Sequence, residues 1–191
     1  MDLRSNNPYW LLRHGIKNIY PSLSENQRAD ITVIGGGITG ALITYHLCNA
    51  GFSVNVVDKR HIGFGSTAAC TGLLQYEIDT PLHALISKVG TKNAVRSYEL
   101  SLAALVSIKK INDSLKTNIG YSEMPSFQYA SYKSHSKNLC LEFNTRKEFG
   151  IGTLDWIESN DTIKMLASKH QAVFYQKKEH AWTRMLSHTH Y

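Results

Sequence analysis

At 191 residues, with 42% apolar and 19% charged side chains and no internal repeat, the chain has room for one sizeable core and a small appended lobe. Its formal charge of +6 is spread along the chain, with local clusters only at Lys109-Lys110 and Lys177-Lys178 and no aromatic-interleaved basic stripe, so nucleic-acid binding is not expected. The polar start Met1–Asn7 lacks an apolar signal core and no run is apolar enough to span a bilayer, so a soluble cytoplasmic protein is expected.

In chain order, residues 1–28 read as an irregular lead-in, punctuated by Pro8-Tyr9-Trp10 and Tyr20-Pro21. Ile31-Thr32-Val33-Ile34 is a short β-branched run entering a glycine cluster, which predicts a buried strand. Ile38, Ala41, Leu42, Tyr45 and Leu47 recur at helical spacing up to Ala50, and Gly51 stops that helix. Val54, Val56 and Val57 form a second strand ending at Asp58. Strand, tight glycine turn, helix and strand in this order make a βαβ unit.

Residues 59–77 read as a Gly/Ser/Thr/Ala loop leading into a short helix. Helical spacing returns at Leu82, Leu85, Ile86 and Val89. A longer amphipathic stretch follows, with Val95, Tyr98, Leu102, Leu105, Ile108, Ile111 and Leu115 on one face. Ser126 to Tyr132 alternates as a strand, further helices are predicted near 135–148 and 160–169, and Gln171–Tyr175 has strand character. Gln176 to Tyr191 shows neither period.

The spacing Gly35-x-Gly37-x-x-Gly40 has a physical reason at each glycine. The first permits the sharp turn, the second lets a pyrophosphate approach the backbone, and the third lets helix and strand pack closely. The helix N-terminus then offers N–H groups and a partial positive charge to phosphates. Asp58 lies eighteen residues past Gly40, where a carboxylate can accept bonds from ribose hydroxyls and disfavours a 2′-phosphate. A dinucleotide site is expected.

The stretch Gly65-Ser66-Thr67-Ala68-Ala69-Cys70-Thr71-Gly72 carries little side-chain bulk, so it can thread close to a pyrophosphate and a ribityl chain. The hydroxyls of Ser66 and Thr67 can bond phosphate oxygens. An NAD dehydrogenase more often continues here into a surface helix, so the loop favours FAD. Three cysteines, Cys48, Cys70 and Cys140, form no metal-ligand spacing and read as free thiols, and the scattered histidines suggest no metal site. His46 reads as a structural residue of the first helix, and His83 as a weak candidate for an active-site role.

On Asp30–Gly40, Val56–Arg60, Gly63–Ala69 and Gly72, the sequence resembles the D-amino acid oxidase-like family of FAD-dependent oxidoreductases, the group of glycine and amine oxidases. The resemblance runs from about residue 8 to about 175. It implies an α/β, Rossmann-like FAD/NAD(P)-binding fold, a parallel sheet with crossover helices, whose second half is incomplete here. By position it places Gly35, Gly37, Ile38, Thr39 and Gly40 at the FAD pyrophosphate. Asp58 stands at the ribose, where the family usually has Glu, and Lys59 or Arg60 near the adenine. Ser66, Thr67 and Ala68 match the phosphate and ribityl loop, and Gly72 and Leu73 run beside the flavin. Cys70 stands as a packing residue, and Thr44 where a small Ala is common.

The chemistry implied is hydride transfer from a carbon next to an amine nitrogen to the flavin, with an amine or amino acid as substrate and the imine hydrolysing afterwards. No catalytic residue is named, because family members are longer and their second half supplies the substrate sheet and most of the pocket. The expected organisation is a lead-in over 1–28, an FAD-binding domain with the start of the substrate region over 29–175, and a tail over 176–191 unlike the family. That tail suggests an early stop or frameshift leaving a fragment, weak FAD retention and a tendency to aggregate. The alternatives are a non-catalytic dinucleotide-binding module, half of a split enzyme with a second chain, and, disfavoured by the loop, an NAD-linked reductase.

Overall fold

The structure is a computed structural model and describes residues 7–16, 18–117, 119–124, 126–130, 132–158, 172–176 and 182–184. It divides into two compact units, Met1–Thr71 and Gly72–Tyr191.

The first unit is built on a parallel strand pair. β1 (Ile31–Ile34) lies beside β2 (Val54–Val57) in the register Ile31↔Val54 to Ile34↔Val57. β-Branched residues fill seven of these eight places, as a pleated surface favours. The register is locked at its start, where Asp30 and Ser53 hold each other. Ser53 N–H and Oγ donate to Asp30 Oδ2 at 2.8 and 2.7 Å, and Asp30 N–H donates to Ser53 Oγ at 3.0 Å.

The crossover is α2 (Ile38–Asn49), which packs on both strands. It ends as the glycine predicts: Gly51 has φ +92°, and Phe52 N–H returns to the Leu47 carbonyl at 3.1 Å. The βαβ unit forms as expected, but β1 is not the buried strand predicted: Thr32 and Ile34 are exposed, because among the described residues only β2 and α2 pack on it. The lead-in is not wholly irregular, because Tyr9–His14 forms a short helix, α1. α1 packs against a 3₁₀ turn at Ser66–Ala69, and Trp10 Nε1–H donates to the Cys70 carbonyl at 2.6 Å. An aromatic-rich hexapeptide this short carries too little periodicity to reveal a helix, and its tertiary anchor decides.

In the second unit, α3 (Leu82–Val89) and α4 (Thr91–Ser114) meet at Gly90, whose φ of +80° turns the chain between them. They pack together, and α5 (Ser136–Glu148) packs on α3. The core joins Tyr76, Leu82, Ala94, Tyr98, Leu105 and Ile151. Tyr98 and Leu105 of the predicted apolar face of α4 enter this core and Val95 and Leu102 pack against it, whereas Leu115 lies past the end of the helix and is exposed.

Two antiparallel sheets complete this unit. β3 (Leu73–Leu74), β8 (Trp182–Arg184) and β4 (Glu123–Met124) run in the order β3-β8-β4. β5 (Ser126–Tyr129), β7 (Ala172–Gln176) and β6 (Leu154–Glu158) run in the order β5-β7-β6. β5, β7 and α5 fall where the sequence predicts them. β8 is a correction, since it lies in the stretch with no visible period. Three residues are too few to show one, and their pairing with Leu73-Leu74 and Glu123-Met124 supplies the order. β4 and β6 were likewise not predicted. The helix expected at 160–169 lies outside the described residues.

Candidate cofactor site

The site begins where β1 runs out. Gly35 takes φ +108°, a conformation only glycine adopts easily, and its N–H stays on the ladder by donating to the Val57 carbonyl at 2.8 Å. The chain then enters α2 with Gly37 as N-cap, no side chain capping it and no acidic residue in the first turn. Gly40 is buried, and a Cβ there would collide with the Gly35 carbonyl oxygen. The third glycine thus serves the close helix–turn contact that its spacing suggests.

Gly37 faces Thr67. A Cβ on Gly37 would sit 3.0 Å from Thr67 Oγ1, and the Ile38 N–H donates to that same hydroxyl at 3.0 Å. Two expected phosphate-site elements, the glycine turn and the small-residue loop, therefore meet at the helix N-terminus. Ile38 and Thr39 are exposed there, Ser66 is exposed beside them, and Ala68 is buried beneath the 3₁₀ turn. A helix N-terminus whose own N-cap has no side chain, a missing Cβ and an adjoining hydroxyl form a cradle that fits a phosphate group.

Asp58 closes the other side. Its Oδ2 accepts the Gly36 N–H and its Oδ1 the Arg60 N–H, each at 2.8 Å. These bonds, Gly36 first, outweigh burial and hold the carboxyl below the 3.8 of a free aspartate, with Arg60 and Lys59 adding attraction. The Gly63 N–H donates to the Gly36 carbonyl at 2.9 Å, so the segment after β2 is tied to the glycine turn at two points. Lys59 is exposed. Arg60 reaches toward Gly65, where an added Cβ would lie 3.9 Å from its Nη2, and its Nε is buried without a hydrogen-bond partner. An orphaned buried donor beside a carboxylate and a phosphate-type cradle suits a ligand carrying acceptors.

Gly72 and Leu73 open the second unit, with Gly72 at φ +71° and Leu73 paired to Arg184. His46 is exposed with its ring edge against Tyr45, so it is not packed into a core as its helical position suggested. His83 is taken up by a buried network. Its Nδ1 lies 2.8 Å from Glu142 Oε2, and its N–H and that of Leu82 donate to the same carboxylate at 3.1 and 2.9 Å. Glu142 caps α3 from α5, because Pro81 at the N-cap offers no side-chain bond. Arg146 completes the network: Nε meets Glu142 Oε1 at 2.5 Å, Nη1 meets the Tyr76 hydroxyl at 3.2 Å, and Glu77 Oε1 lies 3.8 Å away. Among the described residues, no cluster of three His, Cys, Asp or Glu could hold a metal, and no helix is long and apolar enough to cross a membrane. All three cysteines are exposed and free of disulfides.

The family model described as FAD dependent oxidoreductase, DAO, matches residues 30–186. The chain belongs to this family, and its cofactor is FAD. The match carries past the sixteen-residue tail's start at residue 176 and takes in β8. The chain is 25% identical over 143 residues to the glycine oxidase of Bacillus licheniformis, covering 73% of this chain and 34% of that one. It is 27% identical over 143 residues to YhfW of Bacillus subtilis (strain 168), which carries a Rieske 2Fe-2S iron-sulfur protein name, covering 75% and 28%. The solved structure of an L-amino acid deaminase from Proteus vulgaris superposes with a TM-score of 0.69 over 95% of this chain and 44% of that one, at 15% identity, which shows a shared fold. The chain spans about a third of the length of the curated relatives it matches.

Proposed function

We propose that this chain supplies the FAD-cradling part of an oxidoreductase that acts on amines or amino acids, with the substrate-facing parts contributed by further polypeptide in the same protein or in a second chain. The observation that carries the reading is the convergence of Gly37, the Ile38 N–H and Thr67 Oγ1 at the start of α2, with Asp58 clasping the same turn from β2. Gly35, Gly37, Ile38, Thr39 and Gly40 would surround the pyrophosphate, and Ser66, Thr67 and Ala68 would flank it. Asp58 would accept the ribose hydroxyls through lone pairs its two backbone bonds leave over, Lys59 would lie near the adenine, and Gly72 and Leu73 near the flavin. When bound, FAD supplies the two-electron acceptor for oxidation of a carbon–nitrogen bond.

The glycine-oxidase and amino-acid-deaminase names of the relatives support the substrate class. The need for further polypeptide is supported by β1 and β2, which form only a two-stranded sheet among the described residues and leave Ile34 88% exposed. A parallel sheet is ordinarily covered on both faces. That Cys48, Cys70 and Cys140 form no disulfide supports a reducing, cytoplasmic setting.

The deciding experiment is an equilibrium titration of the purified chain with FAD, followed by flavin fluorescence and absorbance, with NAD as a control. Saturable FAD binding with NAD inert is expected. No saturable FAD binding up to about 1 mM, a limit set by roughly 4 kcal/mol of affinity, would sink the reading.

A further inference from the structure

Within the first unit, a cavity of about 540 Å³ lies between the lead-in residues Tyr20–Gln27 and the end of β2, Val56–Ile62. Its size falls in the range of about 300–1,000 Å³ usual for small-molecule pockets. The two walls differ in chemistry. The β2 side brings the Asp58 carboxylate and the Arg60 guanidinium, whose Nε is buried and unpaired. The lead-in side brings Tyr20, Pro21 and Leu23 as its apolar part, beside the polar Ser22, Ser24, Glu25 and Gln27, with Tyr20 64% and Leu23 68% exposed although they line the cavity.

A ligand that satisfies both walls must pair a polar edge with an apolar face. A simple anion would meet Asp58, and a purely apolar molecule would leave the Arg60 donor without an acceptor. A purine nucleoside answers both demands: ribose hydroxyls can donate to the carboxylate, ring nitrogens can accept from arginine, and the flat base can lie on tyrosine and leucine. Asp58 also holds the glycine turn, so this cavity adjoins the phosphate cradle through one shared side chain.

We infer that Tyr20–Gln27 is the outer wall of the adenosine pocket, and that Tyr20 and Leu23 cover the base of the same dinucleotide that the glycine turn holds; this rests on the FAD reading above. The lead-in carries no helix or strand over these residues. Its order therefore depends on what it covers, and ligand binding should protect it.

The test uses the intact 191-residue chain and three probes: FAD, ADP, which has the adenosine half alone, and FMN, which has the flavin half alone. Limited chymotrypsin digestion after Leu23 and trypsin digestion after Arg28 report on the lead-in, and calorimetry gives affinities. FAD and ADP are expected to slow both cleavages several-fold while FMN does not. Tyr20→Ala with Leu23→Ser is expected to weaken ADP and FAD about tenfold, the scale of losing part of two apolar side chains' cover, without lowering the melting temperature. FAD binding that leaves cleavage unchanged, or affinities that the double substitution does not alter, overturns the lead-in wall and leaves the FAD reading standing. Failure of FAD to bind at all overturns both.

Discussion

Asp58 Oδ2 accepts the Gly36 N–H at 2.8 Å, so the acid at the end of β2 ties the glycine turn to that strand. Its Oδ1 simultaneously takes the Arg60 N–H, which sets the start of the loop toward Gly63. One carboxylate thus shapes both sides of the cofactor site. The shorter side chain at a position where the family usually carries Glu suits this clasp, because Asp reaches the adjacent turn with little side-chain freedom to lose.

Substitution of Asp58 tests the clasp. Asp58→Asn keeps one carbonyl-type acceptor and loses the other along with the charge. Each backbone bond contributes about 1 kcal/mol. Asp58→Ala should therefore lower stability by roughly 2 kcal/mol and Asp58→Asn by about half as much, with FAD weakened in both. The pH dependence has a definite sign: the folded-state pKa lies below 3.8, so the stabilisation is present above that value and is lost as pH falls through the folded pKa. Urea unfolding between pH 3 and 6 checks this, and an acid limb unchanged in Asp58→Asn would contradict it.

Two alanine substitutions separate binding from folding at the turn. In Gly40→Ala the new methyl meets the Gly35 carbonyl, a backbone atom that cannot swing aside, so a loss of about 2–3 kcal/mol is expected through overpacking. In Gly37→Ala the methyl meets only Thr67 Oγ1 at 3.0 Å, and a threonine side chain can give way. Gly37→Ala should therefore stay within about 1 kcal/mol of wild-type stability while losing most FAD affinity, because the methyl occupies the phosphate approach. Thermal melts paired with FAD titrations resolve the two effects. Equal loss of stability in both variants would refute the distinction.

The sequence shows this turn well because its signals are local. Glycines at fixed spacing, a β-branched run on each side and an acid at the end of the second strand each have a cause within a few residues. The predicted face of α4 is also legible, since 24 residues give several turns of periodicity. The Trp10–Cys70 bond and the Glu142 cap on α3 are not legible. Each joins residues brought together only by tertiary packing, as the 60-residue separation of Glu142 and Leu82 illustrates. β8 is hidden for a related reason, because a three-residue strand is defined by its partners and not by its own pattern. His83 looked like a possible active-site residue because sequence shows its chemistry without its partner, Glu142.

The Glu142–Arg146 pair is expected to be the most sensitive point of the second unit. Both side chains are almost wholly buried, and the guanidinium also touches Glu77 and the Tyr76 hydroxyl. Arg146→Met leaves Glu142 buried without its cation, which costs about 3–5 kcal/mol in comparable buried pairs. Burial works to raise the Glu142 carboxyl, and Arg146 with the Leu82 and His83 N–H groups overcomes it, holding the group below 4.5. Its stabilisation is therefore present above 4.5 and is lost as pH falls through the folded value. Glu77 behaves oppositely: burial dominates and raises it, so the cost of keeping it ionised is relieved as pH falls through its folded pKa toward 4.5. Arg146→Met should remove much of the acid-labile stability from Glu142. Denaturant melts against pH would show this, and an unchanged midpoint in Arg146→Met would refute the role of the pair.

Ile34 tests whether β1 presents a face meant to be covered. It ends the strand at 88% exposed, while Val33 beside it is partly buried on the α2 side. A β-branched apolar residue at the end of a two-stranded parallel sheet leaves apolar surface and unpaired edge together, the combination that promotes association. Ile34→Thr keeps the β-branch and so the strand preference, but replaces the ethyl arm with a hydroxyl. It should lower self-association of the isolated chain, with circular dichroism unchanged and the melting temperature within a few degrees of wild type. In a preparation that also contains the further polypeptide proposed to cover this face, the same substitution should instead weaken the assembly, because the hydroxyl would then be buried without a partner. Sedimentation velocity on both preparations measures the two effects. Equal sedimentation of wild type and Ile34→Thr in both would show that β1 has no such face.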